Sequence, residues 1–319
     1  MNSIIDMINR YKFFLITSHV RLDGDALGSE LALYHMLLHR GKEVVVYNQD
    51  DTPGNYCFLP GNDKIVHKLP PLENYDVAFI LDCSEPDRIG DEASYIGNME
   101  RIINIDHHIS NDNFGTLVLT DHQASSTAEL LYRLMKEMNI DITKNIATNL
   151  YAAILTDTGG FCYGNTKKDT LIVAGNLVEG GANPQWISEN IYENNPLSKI
   201  RLLTKALETL AFDWDRKVGY MIVSRKDIKE AGALEEHTEG FVDIPRSIQG
   251  VEVSILFTEL SEHEFKLSLR SKGKVNVERV ASAFGGGGHI NAAACHISGN
   301  FDTVLYRVLN AIGGLSRNP

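Results

Sequence analysis

Short β-branched and apolar runs alternate with helical stretches through the first half of the chain. Phe13–Thr17 predicts a strand, and after a loop residues 26–40 predict a helix that Gly41 stops. Glu43–Tyr47 predicts a second strand. Val77–Leu81 and residues 101–105 are continuous apolar runs without alternation, the pattern of strands buried on both faces. Ser126-Thr127-Ala128-Glu129 has capping-box spacing and opens an amphipathic helix over residues 126–137, with another over 144–156. This order predicts an α/β fold: a doubly wound parallel sheet with helices on both faces.

The pattern changes after residue 183. Pro184 and Pro196 bracket short helical segments, and residues 197–210 predict one more helix. Val218–Val223 and residues 251–257 and 265–270 read as strands, with helices over 275–284 and 303–312. That is a second, smaller α/β domain. The expected division is 1–185 for the N-terminal domain, 186–213 for a partly helical linker and 214–319 for the C-terminal domain. Gly285–Gly288 is the single low-complexity stretch, and there is no internal repeat.

Composition adds a few exclusions. Hydrophobic residues make up 43% of the 319 and charged residues 23%, the mix of a globular protein with a sizeable core. No apolar run approaches the ~18–20 residues that span a bilayer. The N-terminus lacks the basic region of a signal peptide. Cys57, Cys83, Cys162 and Cys295 are scattered without C-x-x-C spacing, which argues against a disulfide framework or a zinc–thiolate site and fits a reducing cytosol. A cytoplasmic location is the expectation. A net charge of −12 argues against a broad basic surface for duplex nucleic acid, but leaves a phosphorylated substrate open.

Candidate chemistry collects where the predicted strands end. The loop after the first strand reads His19-Val20-Arg21-Leu22-Asp23-Gly24-Asp25. One imidazole and two carboxylates at that edge of a parallel sheet suit Mn²⁺ or a related divalent ion. Alone, the same residues also read as a polar turn with Asp25 capping the next helix. Asp82 ends the run Val77–Leu81, Asp106-His107-His108 ends 101–105, and Asp157 follows an apolar helix in Thr156-Asp157-Thr158-Gly159-Gly160-Phe161. Each has a plain reading as a turn, core or helix-end residue. Brought together, Asp23, Asp25, Asp82 and Asp157 would be four close negative charges, which need compensation. Two divalent cations would balance them, with His19 and His107 completing the coordination. Such a centre, its ions ~3.5–4 Å apart, is a standard device for phosphoester hydrolysis.

These motifs, H-x-x-x-D-x-D, the isolated Asp82, Asp-His-His and Thr-Asp-Thr-Gly-x-Phe, resemble those of the DHH phosphoesterase superfamily. Gly285-Gly286-Gly287-Gly288-His289, with Arg270-Ser271-Lys272 upstream, resembles its substrate-binding DHHA1 domain. The resemblance covers nearly the whole chain. It is strongest to the bacterial nanoRNase branch, whose members cleave short oligoribonucleotides and linear dinucleotides to mononucleotides and 3′-phosphoadenosine-5′-phosphate (pAp) to AMP. It implies two Mn²⁺ per active site, with Mg²⁺ or Co²⁺ as substitutes. One ion would be held by His19, Asp23 and Asp82 and the other by Asp25, Asp82, His107 and Asp157. Asp106 would orient a histidine ring, and His108 would face the scissile phosphate. A homodimer is implied at family level.

The glycine run reads either as a flexible loop or as a nest of backbone amides for a terminal phosphate. The resemblance and the neighbouring Arg270, Ser271 and Lys272 favour the nest, formed by Gly286, Gly287, Gly288 and His289. The implied substrates are short single strands, dinucleotides and pAp, bound between the domains. Arg88 reads as a surface residue, Trp186 and Trp214 as packing, and His35 and His39 as a helix pair facing solvent or the core edge. Val223-Ser224-Arg225-Lys226 is a coincidental echo of a basic motif in family II pyrophosphatases. The alternatives are a cyclic dinucleotide phosphodiesterase and, from another class, an idle nucleotide sensor on the same scaffold.

Overall fold

The computed structural model describes residues 1–213 and 217–316, and divides into two compact units, Met1–Asn194 and residues 195 onward. In the first unit the strands are β1 (Phe13–Thr17), β2 (Glu43–Tyr47), β3 (Ile65–Val66), β4 (Val77–Leu81), β5 (Ile102–Asp106) and β6 (Leu117–Thr120). They form one sheet in the order β3-β2-β1-β4-β5-β6, and every neighbouring pair is parallel. The two edge strands, β3 and β6, are additional to the four legible from the apolar runs.

The helices of this unit are α1 (Asn2–Arg10), α2 (Gly24–His39), α3 (Ala93–Ile96), α4 (Thr127–Glu137), α5 (Lys144–Asp157), α6 (Lys168–Glu179) and α7 (Pro184–Ser188). Alternate strand residues feed two cores. Phe14, Ile16, Phe79, Leu81, Ile103 and Ile105 pack with apolar residues of α2, α4 and α5. Leu15, Ala78, Ile80 and Ile102 pack on the other side with Ile89 and Ile96. Both faces are covered, which is why β4 is apolar throughout and every residue of β5, Asn104 and Asp106 included, is buried. Strand order reverses between β1 and β4, leaving a crevice at their C-terminal ends, the usual ligand position of such sheets.

α2 starts two residues earlier than its apolar pattern suggests. Asp23, not Asp25, is the cap, its side chain accepting from the amides of Asp25 and Ala26 at 3.0 Å each. A Cβ on Gly24 would sit 2.3 Å from Thr156 Oγ1, and one on Gly28 2.5 Å from the Asn149 carbonyl. These two glycines let α2 and α5 touch, which draws Asp25 toward Asp157.

α2 also buries Glu30 completely. Asn48 Nδ2 donates to Glu30 Oε2 at 2.8 Å, while Glu30 Oε1 and Asn48 Oδ1 have no hydrogen-bond partner among the described residues. Burial pushes this carboxyl from 4.5 to about 8, against the Asn48 hydrogen bond and the His19 charge. The folded chain therefore keeps a proton that the unfolded chain releases near 4.5. Stability falls as pH rises from about 4.5 to about 8 and levels beyond. Glu30→Gln removes this penalty and supplies an amide donor. Urea melts from pH 5 to 9 should show the variant gaining on the wild type as pH rises, by at most roughly 5 kcal/mol. A gap that does not widen with pH would contradict the protonated Glu30.

The second unit contains α8 (Leu197–Glu208), β7 (Ala211–Asp213), β8 (Val218–Val223), α9 (Arg225–Ala231), α10 (Asp243–Ser247), β9 (Val253–Ser261), β10 (Glu264–Ser271), α11 (Val277–Ser282), β11 (Gly287–His289), β12 (Ala292–Ser298) and α12 (Phe301–Ser316). Its sheet runs β11-β12-β10-β9-β8-β7, antiparallel except for the β8–β9 pair. Phe257, Leu267, Leu269, Ala293, Cys295 and Ile297 bury one face with apolar residues of α11 and α12. On the other face Leu202 and Ala206 of α8 pack with Met221, Val223 and Leu256.

Residues 186–193 fold with the first unit and α8 and β7 with the second. Trp186 packs edge-on against Phe58, ring centroids 5.1 Å apart; Trp214 lies outside the described residues. Among the described residues no helix is long and apolar enough to cross a membrane.

Candidate metal centre

The residues singled out along the first half of the sequence converge on the C-terminal edge of the parallel sheet. His19 leaves β1 and Asp82 leaves β4. Asp106 is the last residue of β5, and His107 and His108 follow it. Asp157 is the last residue of α5. Asp82 holds φ at +52°, a left-handed conformation uncommon outside glycine, and its amide donates to the Ile105 carbonyl. The β4 end is thereby turned so that Asp82 reaches between the β1 and β5 loops.

Among the described residues Asp82 is common to three ligand-ready groups, Asp82–Asp106–His108 and the two taken up first, His19–Asp23–Asp82 and Asp25–Asp82–His107. Its oxygens divide between these two: Oδ2 lies 3.5 Å from His19 Nε2 and Oδ1 3.7 Å from His107 Nε2. His19 Nδ1 is 2.9 Å from the Val20 carbonyl, which requires the proton on Nδ1 and turns the Nε2 lone pair toward the carboxylates. Asp23 Oδ2 is 3.8 Å from that Nε2. His107 Nε2 faces Asp25 at 3.8 Å and Asp157 at 3.5 Å as well. These separations exceed hydrogen bonds and approach the roughly 3–3.5 Å between neighbouring ligands of one small divalent ion.

The electrostatics fit that reading. Burial, with Asp25 and Asp23 close by, pushes the Asp82 carboxyl well above the usual carboxylate range. Burial also raises Asp157 to about 7, with His107 opposing. For His107, burial disfavours the charged ring, but Asp157, Asp82 and Asp25 outweigh it and raise the ring to about 9. Among the described residues no lysine or arginine is ion-paired with Asp25, Asp82 or Asp157. So many buried acids without a paired lysine or arginine call for compensating positive charge, and the donor set of carboxylates and imidazoles suits Mn²⁺-like ions.

Asp106 is placed differently. It is fully buried, and its Oδ1 accepts from the His107 amide at 2.8 Å, the His108 amide at 3.2 Å and His108 Nδ1 at 2.7 Å. Asn111 Nδ2 donates to its Oδ2 at 2.6 Å. Burial would raise this carboxyl, yet these hydrogen bonds and the His108 charge hold it well below the usual range. With its oxygens so committed, Asp106 fixes the His108 ring.

In the second unit, Arg270 of β10 and His289 of β11 both stand opposite Ala292 of the intervening β12. Directly opposed residues share a face, so Arg270, His289 and Gly287 lie on one side of the sheet, with Ala292 and Ala294 as a low floor. Arg270 Nη1 donates to the Leu269 carbonyl and its Nε is 3.9 Å from Asp243. Ser271 is not on that side: it is buried, its hydroxyl bonded to Asn291 Oδ1 at 3.1 Å. Lys272 is exposed, its Nζ 3.4 Å from the Ile248 carbonyl. The glycine run is part strand. A Cβ on Gly286 or Gly288 would lie 2.1 Å from the Ala294 carbonyl or 2.5 Å from the Ala292 carbonyl, whereas one on Gly287 would meet nothing. Packing against β12 therefore accounts for two of these glycines, and Gly287 leaves bare backbone open on the Arg270 side.

Among the residues set aside, Arg88 braces the β1 loop through its carbonyl, which accepts from the Val20 amide at 2.7 Å. His35 bonds the Pro60 carbonyl, and His39 is exposed. Ser224 caps α9. Sequence reasoning missed the polar residues that brace the acids: Ser29, Asn111, Thr127 and Asn165.

Residues 13–154 match the model of the DHH family N-terminal domain and residues 216–314 that of the DHHA1 domain. The bifunctional oligoribonuclease and PAP phosphatase NrnA of Thermus thermophilus is 36% identical over 303 residues, 93% of this chain and 88% of that protein. Its Bacillus subtilis namesake is 26% identical, with 92% of each chain covered. The crystal structure of an exopolyphosphatase-related protein from Bacteroides fragilis superposes with a TM-score of 0.92 at 29% identity, covering 99% of this chain and 96% of that one.

Proposed function

From its membership of the DHH family, with a DHHA1 domain after the catalytic fold, we propose that this protein is a two-metal phosphoesterase. It hydrolyses short oligoribonucleotides and linear dinucleotides to mononucleotides and pAp to AMP, a reading supported by relatives named oligoribonuclease and PAP phosphatase. The observation that carries the chemistry is the buried Asp82, shared by the ligand-ready groups His19–Asp23–Asp82 and Asp25–Asp82–His107. His19, Asp23 and Asp82 would hold one ion and Asp25, Asp82, His107 and Asp157 the other. When bound, such ions supply Lewis acidity and an acidified water.

The chain's own residues do the rest. Asp106 holds His108 by Nδ1, and Nε2 would meet the scissile phosphate, to steady its charge or give the leaving oxygen a proton. Arg270 offers a planar fork for a second phosphate, with His289 and the bare backbone at Gly287 on the same side of the sheet. A terminal phosphate as the required handle selects short substrates.

Mn²⁺ is the preferred ion on the mixed carboxylate and imidazole donor set, with Mg²⁺ and Co²⁺ as substitutes. Incubating the protein with Mn²⁺ and pApA, pAp, cyclic di-AMP or pyrophosphate, each with an EDTA control, tests the reading by chromatography. AMP from pApA and pAp, absent in EDTA, is the expected result. Turnover of cyclic di-AMP or pyrophosphate alone would replace the substrate assignment, and turnover of none would leave a nucleotide sensor.

A further inference from the structure

The start of α4 bears on the metal centre through bonds that its apolar pattern does not announce. Ser126 caps the helix, accepting from the Glu129 amide at 3.2 Å. The next two amides do not turn to solvent. Thr127 N–H donates to Asp25 Oδ2 at 2.6 Å and Ala128 N–H to Asp25 Oδ1 at 3.1 Å. A helix N-terminus carries partial positive charge, so this turn receives the Asp25 carboxylate as it would any anion. The Thr127 hydroxyl reaches the neighbouring acid, donating to Asp82 Oδ1 at 3.0 Å. Thr127 is fully buried.

The geometry points to Thr127 as a positioning residue that sets the rotation of the Asp82 carboxylate and so builds the site for one ion in particular. The inference rests on the two-metal reading and deepens it. Asp82 must present one oxygen to each group. Its Oδ2 already faces His19, and Oδ1 is the oxygen near His107, His108 and Thr127. A carboxylate with no partner on Oδ1 rotates about its terminal bond at little cost, because that torsion is broad. The Thr127 hydroxyl removes that freedom. The same residue's amide holds Asp25, so two of the carboxylates of the Asp25–Asp82–His107 group are fixed by one turn of helix. The His19–Asp23–Asp82 group takes nothing from this turn except through Asp82.

The turn is itself braced. Glu129 is buried and its Oε2 accepts from the Ser125 amide at 3.0 Å, the Ser125 hydroxyl at 2.7 Å and the Thr170 hydroxyl at 3.1 Å. Its Oε1 is held by Arg133, which also bonds Asp121 Oδ2 at 2.7 Å. The capping-box glutamate thus reaches Ser125, one residue before the cap, and ties the loop and α6 to the turn that carries Thr127.

The test compares Thr127→Val with Thr127→Ser in the full chain by calorimetric Mn²⁺ titration of the metal-free protein. The wild type is expected to bind two ions. Thr127→Val, which keeps the shape and the amide, should split the isotherm, one ion near wild-type affinity and the other about 10–100-fold weaker, the usual cost of an outer ligand partner. Thr127→Ser should restore the wild-type isotherm. Half-saturating Mn²⁺ for pAp hydrolysis should rise in parallel in Thr127→Val, with kcat recovered at excess Mn²⁺. If the valine variant melts well below the wild type, Thr127→Ala against Thr127→Ser gives the same contrast on a smaller side chain. Two unchanged affinities in the folded hydroxyl-free variant, or a serine variant as weak as it, overturn the inference. A wild type that takes up no Mn²⁺ overturns the metal reading and this inference with it, whereas two bound ions without turnover would overturn only the proposed reaction.

Discussion

Asp82→Asn is expected to lower hydrolysis of pAp and pApA by roughly three orders of magnitude or more while leaving the protein folded. Asp82 belongs to both His19–Asp23–Asp82 and Asp25–Asp82–His107, so the substitution would take one oxygen and the negative charge from the carboxylate that the two ions would share. The loss is large because the paired ions are asked to supply several kcal/mol of transition-state stabilisation, at about 1.4 kcal/mol per factor of ten. Asparagine suits the test better than alanine. It tolerates the positive φ that Asp82 adopts and can still accept from the Thr127 hydroxyl. Without metal the variant should melt at or above the wild type, because the acid it replaces is buried beside Asp25 and Asp23. The two proteins part on adding Mn²⁺: the wild type gains stability by mass action and Asp82→Asn gains little. Calorimetric melts with and without Mn²⁺, alongside product chromatography, check both halves. A folded variant that keeps Mn²⁺-dependent turnover would remove Asp82 from the centre.

The chain states much of this architecture in advance, because two-sided burial leaves little choice of residue. β1 and β4 read as largely apolar runs and β5 as one interrupted by Asn104, and the acids after them fall on the one edge where a parallel sheet leaves a crevice. Asp23, Asp25, Asp82, His107 and Asp157 were therefore visible as candidates, and so was the need for compensating charge. The braces were less visible. Thr127 and Ser29 are ordinary helix-start and helix-interior residues in sequence, and only the packing of α4 and α2 against the strand ends gives them partners. The second unit was harder for another reason. β12 is Ala-Ala-Ala-Cys-His-Ile-Ser, with Ala293, Cys295 and Ile297 inward, and alanine on both faces erases the alternation that marks a strand. β11 is made of two glycines and a histidine, which carry no strand propensity. Ser271 adjoins Arg270 in sequence but lies across the pleat from it, a two-residue period that proximity in a motif conceals.

His108→Ala is expected to separate chemistry from metal binding. His107 and His108 are adjacent, with rings 4.8 Å apart, yet their surroundings assign them different work. His107 Nε2 looks into three carboxylates. His108 Nδ1 is taken by Asp106, whose remaining oxygen is held by Asn111 in a buried network that reaches Asn104. A ring fixed in this way presents one nitrogen at a set angle, the arrangement of a residue that meets substrate. Removing it should cost about 10²–10⁴ in kcat, the usual contribution of a positioned proton donor or acceptor. The Mn²⁺ affinity should stay within about threefold of wild type, since no ion is assigned to it. His107→Ala, by contrast, should lose one ion outright and its activity with it. Asp106→Asn is the discriminating third variant. Its amide can place a donor against His108 Nδ1 and so favour the wrong tautomer, and kcat should fall with Mn²⁺ affinity retained, as in His108→Ala. Calorimetry and steady-state kinetics on the three variants give the answer together. If His108→Ala loses an ion while His107→Ala keeps both, the two histidines exchange roles and the substrate-facing group must be sought elsewhere on this edge.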